Sequence, residues 1–230
     1  MRLMICIVFC SIIASIPVGA KEHKDSSWRG YAHAYVELNQ RMYEHKAADH
    51  DVILDQFRLH YDLEQKLSRS TSPSKKEWQR MVQSVDPLER KMALVLAIAK
   101  KLRDPDFTRV LIAGYFDETD VFVKLYTHRL FEHHSDRDLR GHQQTIIKMI
   151  GTDKSDELRI AGLSTLLKLD WDVVHSVLLQ YVETGSKGLV RAIYFALRGK
   201  GNGYLDQVIQ DLVKKDKKEV LALFESFEKD

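Results

Sequence analysis

Two stretches of this chain carry the same residue pattern at a fixed distance from each other. When Lys91 is aligned with Arg159, 68 residues later, apolar residues coincide at five positions and one lysine coincides with another. The coinciding pairs are Met92 with Ile160, Ala93 with Ala161, Val95 with Leu163, Ile98 with Leu166, Ala99 with Leu167 and Lys100 with Lys168. Such periodicity indicates a repeat protein, in which units that cannot bury their own apolar faces stack on one another.

The distance of 68 residues is twice 34, so it predicts a further copy midway between the two stretches. The segment DVFVKLYTHRLF lies there, although Tyr126 and His128 replace the small or aliphatic residues of the other copies. A fourth copy covers residues 190–197. Each copy has a basic residue at its head, and these residues are 33, 35 and 32 positions apart: Lys91, Lys124, Arg159 and Arg191.

Each copy is followed by a turn and a second apolar segment with helical spacing. These second segments are DFTRVLIAGYF, DLRGHQQTIIKMI, WDVVHSVLLQYV and YLDQVIQDLV. The repeated unit is therefore predicted to be a pair of helices joined by a turn. Small residues should let neighbouring pairs approach closely, and they are Ala93, Ala97, Ala161, Gly162 and Ala192. In this register Ala161 should face the adjacent pair, and Lys168 should face solvent.

The rest of the chain after Lys21 also has helical spacing, and its three prolines lie beside turn signals. A helix near the N-terminus should bury one seam, made of Trp28, Tyr31, Tyr35, Leu38 and Met42. A second helix at about 51–67 has apolar residues on more than one face, which predicts cover from two sides. The polar segment Ser68–Lys76 follows. We expect an all-α fold with an N-terminal helical hairpin or cap at residues 21–72 and repeats at residues 73–230.

The segment ELRIAGLSTLLKL resembles the first helix of a HEAT repeat, in which an aliphatic residue and an arginine precede small residues and a leucine. Leu158, Arg159, Ala161 and Leu166 match that pattern, and the resemblance extends over about 86–230. It implies a right-handed α-solenoid whose second helices form a concave wall that binds a protein or peptide. In such arrays the leading arginine more often bonds acidic or carbonyl groups of the adjacent turn than a ligand. Structural roles are therefore expected for the leading arginines, Arg159 and Arg191.

The first twenty residues, MRLMICIVFCSIIASIPVGA, have the pattern of a secretory signal peptide. A charge at Arg2 precedes an apolar run, which is followed by a proline and by small residues before Lys21, so cleavage before Lys21 is predicted. An uncleaved anchor and a buried first helix are the alternatives. Both cysteines, Cys6 and Cys10, lie in this segment, so the mature chain would have neither a disulfide nor thiol catalysis. With no Asn-x-Ser/Thr site, this favours a bacterial periplasmic or secreted protein.

The charge of the mature chain would be close to neutral. Removing Arg2 from the 35 basic residues leaves 34, against 33 acidic ones. The mature chain would therefore have no large excess of positive charge to attract nucleic acid. No stable membrane insertion is expected after cleavage. The basic run KKDKKE, residues 214–219, is predicted to be a solvated surface, with contact to a polyanion as the alternative.

The segment HRLFEHHSDRD, residues 128–138, is the candidate for chemistry. Its possible ligands for a transition metal are His128, Glu132, His133, His134, Asp136 and Asp138. Their spacing differs from the zinc peptidase motifs, and a polar helix end is the alternative. No His-Glu dipeptide occurs, which excludes the HEAT-like iron hydroxylases. The run RGKGNGY, residues 198–204, lacks the ending of a P-loop and is predicted to be a turn.

The sequence therefore assigns no catalytic, cofactor-binding or metal-binding residue, and no cofactor. The preferred function is an exported, non-catalytic helical-repeat scaffold that binds a protein or peptide partner in the cell envelope. The alternative is a metal-dependent envelope enzyme that uses the cluster from His128 to Asp138.

Overall fold

The computed structural model describes residues 27–44, 50–201 and 203–228. The predicted signal peptide lies outside these residues. Within them the chain forms thirteen helices and no strand, which confirms the all-α fold class. None of the helices in the described ranges is long and apolar enough to cross a membrane.

The chain forms two compact units, the first ending at His133 and the second beginning at His134. The first unit contains α1 (Trp28–Glu44), α2 (His50–Arg69), α3 (Lys75–Val82), α4 (Pro87–Ala99), α5 (Pro105–Gly114) and α6 (Val121–Phe131). The second contains α7 (Asp136–Arg140), α8 (Gln143–Thr152), α9 (Asp156–Leu166), α10 (Trp171–Thr184), α11 (Lys187–Lys200), α12 (Tyr204–Lys214) and α13 (Lys218–Phe227).

Local sequence sets where most of these helices begin. Seven of them begin immediately after a serine or aspartate whose side chain accepts a hydrogen bond from a backbone N–H of the first turn. These N-cap residues are Ser74, Asp86, Asp104, Asp120, Ser135, Ser155 and Ser186. Pro87 and Pro105 occupy the first helical position, where the missing N–H costs nothing. The last glycine-rich connection contains Gly201 and Gly203, with φ of 71° and 69°, values that favour glycine.

Helix α4 is the centre of the first unit. Every side chain from Met92 to Ile98 is buried, and α4 packs against α1, α2, α3 and α6. Buried Lys91 places its Nζ 3.0 Å from Oδ2 of Asp120. Because Asp120 also caps α6, the basic residue of one copy holds the start of the first helix of the next copy.

The N-terminal hairpin differs from its prediction in two details. Of the predicted seam on α1, only Tyr35 is fully buried, and its buried neighbours are Ala32 and Val36. Tyr61 on α2 is 65% exposed, so that part of the helix is not covered on both sides. The predicted seam was wrong because α2 and α4 both pack against α1, so the buried face of α1 is the one between these two helices.

The repeat register is reproduced by the helices. The four basic residues that head the copies all lie on the first helices, at the fourth or fifth position: Lys91 on α4, Lys124 on α6, Arg159 on α9 and Arg191 on α11. In the second unit, α9 contacts α11, and α11 contacts α13. The predicted single helix DLRGHQQTIIKMI is wrong, because α7 ends at Arg140 and α8 begins at Gln143.

Gly162 is a point of close contact between α8 and α9 in the second unit. A Cβ atom added at Gly162 would lie 2.9 Å from Cγ1 and Cγ2 of Ile150, which is fully buried on α8. Ala161 is only partly buried. Of the two adjacent small residues that were predicted to allow close approach, Gly162 therefore lies at this contact.

Lys168 does not simply face solvent, contrary to the prediction. Its Nζ donates a hydrogen bond to the carbonyl oxygen of His134 at 2.8 Å. The aligned lysine in the first unit, Lys100, donates in the same way to the carbonyl oxygens of Ser68, at 2.9 Å, and Ser70. Each lysine therefore connects the C-terminal end of its helix to backbone carbonyl oxygens that lie 30–34 residues earlier in the chain.

Candidate functional site

The histidine and carboxylate cluster of residues 128–138 has mostly structural contacts. His128 is fully buried, and its Nε2 lies 2.6 Å from the hydroxyl oxygen of Tyr115. Asp138 forms a capping box with Ser135 at the start of α7. The carbonyl of His134 accepts the bond from Lys168. Among the described residues, no group of three or more histidines, cysteines or carboxylates is placed to hold a metal ion.

Arg159 makes the contacts expected of a structural arginine. Its Nε donates to the carbonyl oxygen of Asp153 at 2.9 Å, in the turn before α9. Its guanidinium lies 5.1 Å from the centre of the Tyr181 ring. Burial raises the pKa of Tyr181 to about 12, against the lowering effect of Arg159. The protonated Tyr181 hydroxyl donates to the carbonyl oxygen of Ile150 at 2.6 Å, so Arg159 helps to join α8, α9 and α10.

Arg191 has a different environment. Its guanidinium lies over the rings of Phe195, at 5.7 Å, and Phe227, at 5.9 Å. These cation–π contacts join the end of α13 to α11.

The basic run at the end of α12 is paired with local carboxylates. Lys214 contacts Asp211 at 2.9 Å, and Lys215 and Lys217 contact Glu183 at 2.7 Å and 3.7 Å. The hydrogen bond from Lys215 holds the pKa of Glu183 below its usual value. These contacts agree with the prediction of a solvated surface.

The feature of the second unit with the properties of a binding site is an aromatic cluster on two neighbouring second helices. Trp171 is the first residue of α10, and Tyr204 is the first residue of α12. Their rings are stacked, with centres 4.2 Å apart and planes 23° apart. The Nε1 of Trp171 donates a hydrogen bond to Oε1 of Gln207.

The cluster continues one turn further along both helices. The His175 ring lies 5.0 Å from the Trp171 ring, and its Nε2 lies 3.5 Å from Oδ2 of Asp211. Trp171 and His175 are four residues apart on α10, while Tyr204, Gln207 and Asp211 follow a three-four spacing on α12. Residues at these spacings share one helix face. We call these five residues the α10/α12 surface.

The α10/α12 surface is accessible and preorganised. Trp171, His175 and Tyr204 are each partly exposed, and Gln207 is exposed. Tryptophan and tyrosine offer large apolar area with one polar atom, and they are enriched among the residues that dominate binding energy at protein interfaces. Because stacking and the Gln207 bond already fix the two rings, a partner would lose little side-chain entropy on contact. The surface is therefore suited to binding a partner.

The sequence analysis did not identify this surface, although a signal was present. Trp171 and Tyr204 are 33 residues apart, which lies within the range of 32 to 35 residues that separates the basic residues at the heads of the repeats. Both residues begin a second helix. Repeat-related aromatic residues at the same position of successive units should lie side by side, and this pair does.

The chain matches no protein-family model. Comparison with curated proteins and with solved structures finds no significant similarity either. The functional conclusion therefore depends on the geometry of the chain itself.

Proposed function

We propose that this protein is an exported, non-catalytic helical-repeat scaffold that binds a protein or peptide partner in the cell envelope. The observation that carries the proposal is the stacked pair of Trp171 and Tyr204 on neighbouring second helices. Trp171 and Tyr204 both remain partly exposed, whereas Trp78 on α3 is buried in the core of the first unit. The proposed binding surface is the α10/α12 surface.

The proposal includes a right-handed α-solenoid of HEAT-like helix pairs. The pattern of contacts between helices within each unit supports this arrangement. First helices contact first helices, as in α4 with α6 and α9 with α11. Second helices contact second helices, as in α8 with α10. An experimental structure in which successive pairs turn with the opposite hand would contradict this part of the proposal.

The cellular location rests on the pattern of residues 1–20 alone. We expect mass spectrometry of the protein from its native host to find Lys21 as the N-terminal residue. Recovery of a chain that begins at Met1 would contradict export with cleavage.

Affinity capture from the native cell envelope tests the binding function. The mature protein should retain a specific partner, and Trp171→Ala should reduce its retention by about tenfold or more, since truncating a central aromatic costs about 2 kcal/mol or more. Tyr61→Ala is the matched control, because Tyr61 is an exposed aromatic of the first unit. Equal retention by Trp171→Ala and the parent would refute the proposed surface. Melting curves of both variants would show that each is folded.

A further inference from the structure

The first unit contains a pocket of about 680 Å³ at the end of α5. Its lining comes from the end of α3, from the turn that follows α3, and from α4, α5 and α6. Buried apolar side chains form its floor: Val82, Leu94, Leu111, Tyr115 and Val123. Pockets that hold small molecules have volumes of roughly 300–1,000 Å³ and mostly apolar linings. The pocket therefore has the dimensions of a small-molecule site.

The length of α5 explains why this space is open. The helix has 10 residues, whereas α10, which is also the second helix of its pair, has 14. Each has a tyrosine eleven positions after the aspartate that precedes the helix, Tyr115 and Tyr181. Beyond Tyr181 the helix continues and Val182 is buried, but Phe116, the residue that corresponds to Val182, is 41% exposed. The first unit therefore lacks about one helical turn at this position.

The polar groups of the buried lining residues already have partners within the protein. The Tyr115 hydroxyl oxygen lies 2.6 Å from Nε2 of His128, and the Thr127 hydroxyl donates to a backbone carbonyl of its own helix at 2.8 Å. Arg90 donates to both carboxylate oxygens of Glu118, from Nε at 2.8 Å and from Nη2 at 2.9 Å. A polar group of a ligand would lose its hydrogen bonds to water at this depth without replacing them. The floor therefore favours a hydrocarbon group.

The mouth of the pocket has exposed polar residues. Arg109 and Asp117 carry opposite charges there, while Gln83 and Thr119 are uncharged. The mouth therefore does not select a net charge, and it leaves the polar end of a ligand in contact with water. We infer that the first unit binds a small uncharged amphiphile in this pocket, with its hydrocarbon chain on the floor and its polar group at the mouth. This site lies in the first unit, whereas the α10/α12 surface belongs to the second.

Linear alkanols test this chemistry, because their polar group is constant while the chain grows by one methylene at a time. Methyl NMR of the complete mature protein should show saturable shifts at Val82, Leu94, Leu111 and Val123. The methyl signals of Val174, which is buried in the second unit, should not move. From hexanol to octanol the dissociation constant should fall about fourfold for each added methylene, as expected for burial of one CH₂ group.

Variants locate the binding in the pocket. Gly114 is part of the lining, and a Cβ atom added there would have no atom within 4 Å. Gly114→Trp should therefore fold and obstruct the pocket, and weaken octanol binding by about tenfold or more. Gly151→Trp is the matched control, because Gly151 lies near the end of α8 with equally open space around an added Cβ. Ala113→Trp, at an exposed lining position, is a second obstructing variant, and melting curves would show that all three are folded.

Three results would overturn the inference. These are absence of saturable shifts at the floor residues, an affinity that does not change with chain length, or octanol binding by both obstructing variants that is as tight as in the parent. Phe116→Ala tests whether the chain fills its own pocket, and it should bind octanol as the parent does. If only Phe116→Ala binds octanol, Phe116 occupies the floor in solution and the inference is wrong. Affinity capture through Trp171 tests the proposed function separately.

Discussion

Replacing Gly162 by alanine tests a close contact between α8 and α9 in the second unit. The added Cβ would lie 2.9 Å, 2.9 Å and 3.0 Å from three side-chain carbons of Ile150. Carbon atoms in favourable contact are about 3.5–4.0 Å apart, so all three atoms overlap with the new methyl group. Ile150 is fully buried and cannot move toward solvent. Overpacking of this kind costs about 1–3 kcal/mol.

The helix propensity of alanine opposes this cost, so a matched control is necessary. Alanine is favoured over glycine in a helix by up to about 1 kcal/mol. Gly199 on α11 has no atom within 4 Å of an added Cβ, so Gly199→Ala retains the propensity gain without the overlap. We expect urea unfolding to place Gly162→Ala about 1–3 kcal/mol below Gly199→Ala in unfolding free energy.

A double-mutant cycle identifies the cause of the difference. Ile150→Ala removes all three overlapping carbons, so Gly162→Ala in that background should be neutral or stabilising. If Gly162→Ala is as stable as Gly199→Ala in the parent background, the close contact of α8 and α9 at Gly162 is wrong.

Three further changes test other contacts. Burial, followed by the charge of Arg129, lowers the pKa of His60 from 6.5 to about 3. Because the folded state favours the neutral form of His60, this contribution to the free energy of unfolding is complete above about pH 6.5 and is lost as the pH falls toward 3. Between about pH 7 and pH 5 the parent should therefore lose about 1–2 kcal/mol more than His60→Phe in urea unfolding. Equal losses would contradict the lowered pKa of His60. Lys101, two residues after the last residue of α4, has φ of 51°, so Lys101→Gly should raise the melting temperature by relieving about 1 kcal/mol of strain, and a lower melting temperature would contradict it. Lys168→Met removes the bond to the His134 carbonyl and should cost about 1–2 kcal/mol in chemical unfolding, whereas no cost would mean that Lys168 faces solvent.

Features set by short stretches of sequence were predictable. The caps at Asp86, Asp104 and Ser155 act on residues two or three positions later, and the basic residues at the heads of the copies share one place on their helices. The split between α7 and α8 was missed, although the capping box of Ser135 with Asp138 and the glycine at Gly141 mark a short helix and its end.

Features that depend on distant residues were not predictable from periodicity. Ala161 and Gly162 are both small, and only the position of Ile150 on the neighbouring helix selects Gly162. The carbonyl that binds Lys168 lies 34 residues earlier in the chain. The α10/α12 surface likewise exists only because α10 and α12 place the rings of Trp171 and Tyr204 in contact, which a residue pattern along one helix does not encode.

Photocrosslinking in the native host tests the central claim, that a protein partner occupies the α10/α12 surface. A photoreactive amino acid replaces Gln210, an exposed residue three positions after Gln207 on α12, or Tyr61 on α2 as the control. We predict one adduct of defined mass from position 210, its loss when Trp171→Ala is added, and no such adduct from position 61. No adduct from position 210, or the same adduct from both positions, would contradict the claim.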